Sequence, residues 1–338
     1  MPTMRAVQVQ GGFGIEALAI TDLPEPAPGP GQVVVRVRAV SLNYRDLLVT
    51  KGLYSRKLPL PLTICSDCAG EVVAAGAGVT RLAPGDRVAS IFMPGWIDGE
   101  VDETKARTAL GAAAPGVLAE QVTFHEEALV KIPGHLSLEE AATLPCAALT
   151  AWHAVVEKGR VKSGDALLVL GSGGVSVFAL QFARLAGARV IATSSSDKKL
   201  ARLRDLGAAE TINYATTPEW DEAARKAVSG GVDHVIEIGG AGTMNRSLRA
   251  VRMGGRVSLI GSLSGGAAEV NLMLCLMKSV AIQGIFVGSR RMFESMNRAI
   301  TLHKLRPVVD RVFPMEDAGA ALRHLESGAH FGKVCIRL

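Results

Sequence analysis

The chain has 338 residues, 48% of them apolar, enough for two domains with substantial cores, which excludes a disordered polymer. Its 37 basic and 32 acidic side chains leave a charge of +5 with no block of one sign. That balance argues against nucleic acid or a membrane surface as the main partner and leaves room for a local anion site. Five cysteines, an odd number, make no disulfide framework, and Met1-Pro-Thr-Met-Arg5 lacks the apolar centre of a signal peptide. A cytoplasmic location is expected.

In chain order, residues 1–130 read as a β-rich domain. Val33–Val40 begins as an apolar run and passes into alternation. Gly70–Gly76 and Gly85–Ala89 are short strands framed by glycine. Leu23–Gly31, with its repeated prolines, is loop. Residues 93–116 read as a long surface excursion. Ser137-Leu-Glu-Glu140 is a capping box opening a helix into Ala141, and a domain boundary is expected near residue 130.

The rest is organised around Asp165–Arg184, an all-apolar run ending in Gly171-Ser-Gly173-Gly174-Val175 and followed by a helix-length apolar segment. Ala166–Ala183 carries no charge and is about the length of a membrane span, but its glycines, serines and glutamine predict strand, turn and helix. Gly171 permits a tight turn, Gly173 and Gly174 let backbone approach a pyrophosphate, and the helix N-terminus favours the anion. Ser176 holds the position where Gly or Ala is usual, and a glycine turn without ligand is the alternative. Strands follow at Arg189–Thr193, Glu210–Tyr214, Asp233–Gly239, Arg256–Gly261 and Ser279–Phe286. Between them, a helix is capped by Asp197 and another starts with Pro218 at its first position. The fold class is α/β, a Rossmann doubly wound parallel sheet whose ligand crevice gathers Gly171, Ser194, Gly239 and Gly261. The second strand ends in Thr193-Ser194-Ser195-Ser196 with Lys198 and Lys199 behind, where an NAD site usually has a carboxylate. Hydroxyls and ammonium groups suit a 2′-phosphate, so NADPH is the expected cofactor. The alternative has Ser196 or Asp197 capping the helix and both lysines solvated.

Ser41-Leu-Asn-Tyr-Arg-Asp46, Ala69-Gly-Glu-Val-Val73, Gly85-Asp-Arg-Val88, Ala141-Ala-Thr-Leu-Pro145, Leu149-Thr-Ala-Trp152, Gly171–Val175 and His330-Phe-Gly-Lys-Val334 carry a resemblance. They resemble the zinc-independent medium-chain dehydrogenase/reductases, the group of quinone oxidoreductases and enone or enoyl-thioester reductases. The resemblance implies a GroES-like catalytic domain over residues 1–130, a Rossmann domain over 131–286 and a return over 287–338. It also implies homodimers or homotetramers, paired partly through edge strands near residue 280.

Zinc-dependent relatives hold their metal with Cys, His and Cys. Those positions fall here on Asn43, Ser66 and Cys146, so no metal is expected. Cys65 and Cys68 offer half of another site, with buried, apolar cysteines as the alternative. Without a Lewis acid, the acceptor must delocalise the charge it receives, as a quinone or α,β-unsaturated carbonyl does. The resemblance implies Asn43 as an oxygen-binding donor and Tyr54, in Gly52-Leu-Tyr54, as donor or acid. A turn residue and a loop anchor are the alternatives. It implies Thr150 against the nicotinamide, Tyr214 near the 2′-phosphate, Phe286 and Val287 at the carboxamide and pocket wall, and Lys333 among the cofactor residues. Tyr44 and Arg45 are further candidates for the pocket, and Arg45 has Asp46 and Asp67 as alternative partners. His125, His153 and His330 sit in no catalytic pattern. The expected activity is an NADPH-dependent, zinc-free reduction of a quinone or enone. The alternatives are a zinc-free alcohol dehydrogenase or carbonyl reductase, and an NADPH-binding protein without turnover.

Overall fold

The computed structural model describes residues 2–338. One compact unit takes the chain up to Leu149 and again from Gly288 to Leu338, and the other is Thr150–Val287. The first boundary lies at Leu149, not near residue 130. Its physical reason is the helix Leu138–Ala142, which packs on strands of the first unit.

The first unit opens with β1 (Thr3–Val9), β2 (Leu18–Pro24), β3 (Gln32–Ser41) and β4 (Leu62–Thr63). It continues with β5 (Asp67–Ala75), β6 (Arg87–Ser90), β7 (Gln121–His125) and β8 (Leu129–Lys131). The second unit holds β9 (Ala166–Val169), β10 (Arg189–Ser194), β11 (Glu210–Asn213), β12 (Val232–Glu237), β13 (Val251–Leu259) and β14 (Ala281–Gly284). The chain then returns to the first unit with β15 (Val309–Pro314) and β16 (Lys333–Arg337).

In the first unit, β2-β1-β4 form one small sheet, and β15-β16-β3-β5-β6-β8 form the other, with β7 also on β3. β3 is the spine: Val33, Val34, Val35 and Val37 are buried while Arg36 and Arg38 face water, the predicted run and alternation. Residues 97–108 are exposed or half-exposed, as a surface excursion requires, but the two ends of the 93–116 segment turn inward. Trp96 and Met93 are almost fully buried, as are Leu110 and Ala112, and the Trp96 indole N–H donates to the Gly99 carbonyl. Ala112 packs with Leu62 of β4 and Val49.

The second unit is a six-stranded parallel sheet in the order β11-β10-β9-β12-β13-β14, the doubly wound arrangement expected of a dinucleotide fold. Leu168, Ile191, Val235 and Val257 form its core with Leu248 and Trp220 from the flanking helices. The apolar run from Ala166 divides into β9 and the helix Gly174–Leu185. Among the described residues, no helix is long and apolar enough to cross a membrane. Two helix starts differ from the sequence reading. Ser196 caps the helix Asp197–Asp205 through the Lys199 N–H, while Asp197 accepts from the Asn213 amide at 2.8 Å. The next helix is Trp220–Ala227, so Pro218 lies before it and not at its first position.

Candidate active site and dinucleotide cradle

Asn43 lies two residues after β3 and caps the helix Tyr44–Thr50; its backbone N–H donates to the Asp46 carboxylate at 2.7 Å, a local tie that fixes the turn. Its side chain is nearly buried and engaged at both ends. Lys333 Nζ donates to Asn43 Oδ1 at 2.6 Å and also to the Leu42 carbonyl, and Asn43 Nδ2 reaches Ser66 Oγ at a long 3.5 Å. Ser66 donates onward to Asp67 Oδ1 at 2.6 Å, and the Cys146 N–H donates to Asp67 Oδ2 at 2.9 Å. Burial pushes the Asp67 carboxyl up, opposed first by the Lys333 charge. The turn into this cluster is strained: Cys65 is buried with φ 71°, a left-handed conformation unusual for a side chain of its kind.

These donors do not make a zinc site. An ammonium occupies the Asn43 oxygen, a hydroxyl stands at Ser66, and one thiol remains at Cys146, pushed by burial up to about 12. Cys68 is likewise pushed up to about 12 by burial, and Cys65 well above the usual thiol range. Among the described residues, no three His, Cys, Asp or Glu side chains group for a metal.

Arg45 pairs with neither Asp46 nor Asp67 as a hydrogen-bonded partner. Its guanidinium donates to the Leu110 carbonyl and lies 4.3 Å over the Phe92 ring and 5.8 Å from the Tyr54 ring centroid. Tyr54 and Tyr44 are exposed, and Tyr54 meets the Arg45 guanidinium with its ring. Asp46 is wholly buried, one of its oxygens has no partner, and burial pushes its carboxyl up to about 6 against the pull of Arg45. The folded chain therefore holds this proton more tightly than the unfolded one. That contribution to stability is full below the ordinary carboxyl value and is lost as pH rises through about 6. Asp46→Asn is expected to remove the slope. Denaturant unfolding at several pH values should show wild-type stability falling relative to the variant by about 2–3 kcal/mol between pH 4 and 7. A pH-independent difference would contradict it.

In the second unit, Gly171 has φ 73°, the left-handed turn its place after β9 requires. Gly173 is the N-cap of the helix Gly174–Leu185, and no side chain caps that end. The first N–H groups, from Gly174 and Val175 onward, are thus left for an anion. Ser176 is accommodated because it is buried and donates to the Leu170 carbonyl at 2.6 Å. A Cβ on Gly261 would lie 2.5 Å from the Ile238 carbonyl, so the strand ends can meet closely only without one. This cradle fits a dinucleotide's pyrophosphate.

Sequence reasoning missed Glu237. It ends β12, fully buried, and accepts from the Gly239 N–H at 2.8 Å, the Gly240 N–H at 3.0 Å, the Thr243 hydroxyl at 2.5 Å and the Ser247 hydroxyl. A glutamate at the end of an apolar run, followed by Gly-Gly and then Thr and Ser, was the available signal. Ser194 is buried at the end of β10 and accepts from the Ser196 N–H at 3.3 Å; Lys199 lies in the following helix, and Tyr214 is exposed beyond β11. Thr150 is buried and Phe286 exposed. Val287 is buried with φ 44°, and His153, itself buried, donates from Nδ1 to its carbonyl at 2.8 Å. A β-branched residue held there marks local strain. Burial depresses the His153 imidazole's affinity for a proton, as it does for His234, pushed down to about 3.

The family models for an alcohol dehydrogenase GroES-like domain and a zinc-binding dehydrogenase match residues 29–134 and 174–301. A zinc-type alcohol dehydrogenase-like protein of Schizosaccharomyces pombe is 43% identical over 91% of each chain. The crystal structure of an NAD-dependent alcohol dehydrogenase is 39% identical, with TM-score 0.91 over 99% of this chain and 100% of that one. The 2-octenoyl-CoA carboxylase reductase CinF, in complex with NADP and 2-octenoyl-CoA, is 27% identical with TM-score 0.88 over 100% of this chain and 88% of its own. The chain belongs to the medium-chain dehydrogenase/reductase family, and it is an oxidoreductase of the nicotinamide-dinucleotide-dependent kind.

Proposed function

We propose that the protein reduces a quinone or α,β-unsaturated carbonyl with NADPH and without zinc. The observation that carries this reading is the Asn43 carboxamide, with its oxygen held by Lys333 where a metal ligand would otherwise stand. Asn43 keeps an N–H to donate to an acceptor oxygen. That donor suffices where charge spreads over an enolate or phenolate, and a plain ketone would need a stronger acid. When bound, NADPH supplies a hydride to the acceptor's electrophilic carbon. Gly171, Gly173, Gly174 and Val175 receive the pyrophosphate, with Gly239 and Gly261 at the neighbouring strand ends. Ser194, Lys199 and Tyr214 receive the 2′-phosphate, and Thr150, Phe286 and Val287 border the nicotinamide. Tyr54 is the proton donor to the reduced substrate. The NADP complex of CinF supports this choice of cofactor and acceptor.

A second reading, an NAD-dependent alcohol dehydrogenase, draws support from the neighbour of that name. Cofactor carrying deuterium at C4 separates the two: with NADPH and an enone, the label should appear at the β carbon of the product by mass spectrometry. Label transfer only from NADH to a simple aldehyde would favour the second reading. Ser194→Asp places a carboxylate where the 2′-phosphate is expected, and should weaken NADPH binding by about 10²-fold while sparing NADH. Equal affinities for NADPH before and after would count against that assignment.

The reading includes a cytoplasmic, self-associating protein. All five cysteines are free thiols. β14 is an edge strand beside the helix Leu272–Lys278, whose Leu272, Leu276 and Met277 are exposed, a surface suited to pairing with a second copy. Light scattering coupled to size exclusion decides between dimer, tetramer and monomer.

A further inference from the structure

The buried cluster in the first unit has a direction. Asp67 accepts at both oxygens, from the Ser66 hydroxyl and the Cys146 N–H, the pattern of an ionised carboxylate. Ser66 has therefore spent its proton and offers Asn43 a lone pair. At the other end stands Lys333, an ammonium that donates and never accepts, only 4% exposed and on Asn43 Oδ1 at 2.6 Å. An amide side chain is ordinarily free to present either end. Here donor-only and acceptor-only groups leave it one orientation, oxygen toward Lys333 and NH2 toward Ser66 and the acceptor. A cation on the amide oxygen also draws charge from the nitrogen and strengthens the N–H as a donor.

We propose that Lys333 is the positioning residue of this site: resting on the reading of Asn43 as oxygen-binding donor, it fixes and polarises the Asn43 carboxamide through Oδ1. The ammonium takes the electrostatic place of a Lewis acid, but acts through an amide and never touches the substrate. Two of its three N–H groups go to Leu42 and Asn43, so a cofactor contact, the sequence reading of Lys333, would rest on the third.

A double-mutant cycle tests it, with NADPH and an enone as substrates. Lys333→Met is expected to lower kcat by roughly 10–100-fold, with the KM for NADPH within about twofold of wild type. Asn43→Ala should lower kcat at least as much, and the double variant should be no worse than Asn43→Ala alone, within about threefold. A merely structural lysine would lower folded fraction and leave kcat per folded molecule intact, so thermal unfolding and NADPH titration accompany each variant. If Lys333→Met does not fold, Lys333→Gln, which keeps a donor but removes the charge, enters the same cycle, with the same non-additivity expected. Unchanged kcat in Lys333→Met or Lys333→Gln beside a crippled Asn43→Ala would overturn the role of Lys333 and leave the donor reading standing. Multiplying losses would overturn it too. Unchanged kcat in Asn43→Ala would instead remove the donor reading itself.

Discussion

Asn43→Ala is expected to lower turnover by about 10²–10³-fold, the range for removing one preorganised donor to a developing oxyanion. Cofactor affinity should change by less than about twofold, because the cradle lies in other elements, at Gly171–Val175 and the ends of β12 and β13. The loss should fall on kcat and on kcat/KM for the acceptor alike, the pattern of an interaction made in the transition state. Two groups would also lose a partner, the Lys333 ammonium and the Ser66 hydroxyl. Asn43→Asp is the informative companion, since it keeps an acceptor for Lys333 but removes the donated N–H. Turnover should stay low in it. Recovery in Asn43→Asp would show that holding Lys333, and not donating to substrate, is what Asn43 does.

The largest effect on stability is expected at Glu237. Glu237→Ala orphans the N–H groups of Gly239 and Gly240 and the hydroxyls of Thr243 and Ser247, and opens a cavity at the end of β12. A loss of about 3–5 kcal/mol is expected from leaving four buried or half-buried donors without their acceptor. Glu237→Gln keeps the shape but turns an NH2 toward groups that themselves donate, so it should cost roughly half as much. Both variants should bind NADPH more weakly than their stability loss alone explains, because the Gly239–Gly240 turn is tied to this carboxylate. Denaturant unfolding of the two variants beside NADPH titrations checks both statements. A Glu237→Ala protein as stable as wild type would mean that the network is already satisfied by water.

The second unit was the more legible in sequence. Its central strands β9 and β10 are buried almost throughout, so they appear as apolar runs, and the 3.6-residue pattern after them marks the helices. Helix starts were less so, because Ser196 and Asp197 both have capping side chains and only the position of Asn213 decides between them. In the first unit, the exposed middle of residues 93–116 was legible and its buried ends were not, for a physical reason. Their buried side chains are separated by prolines, glycines and charges, with no period to show that Trp96 and Leu110 turn inward. Asn43, Ser66 and Cys146 were legible as a set of replaced metal ligands. Lys333 was not legible as their neighbour. Nothing local in His330–Val334 says that β16 pairs with β3 and sets Lys333 against Asn43. That contact exists only through long-range strand pairing.

The most direct test of the account is the initial rate of NADPH oxidation by chelator-treated protein, with bound zinc measured by atomic emission. An ortho-quinone, a short enone and a simple aldehyde are the acceptors, each repeated with NADH. The account predicts rapid oxidation with the quinone or enone at negligible zinc and slow oxidation with the aldehyde. Activity confined to the aldehyde and restored by added zinc would contradict it.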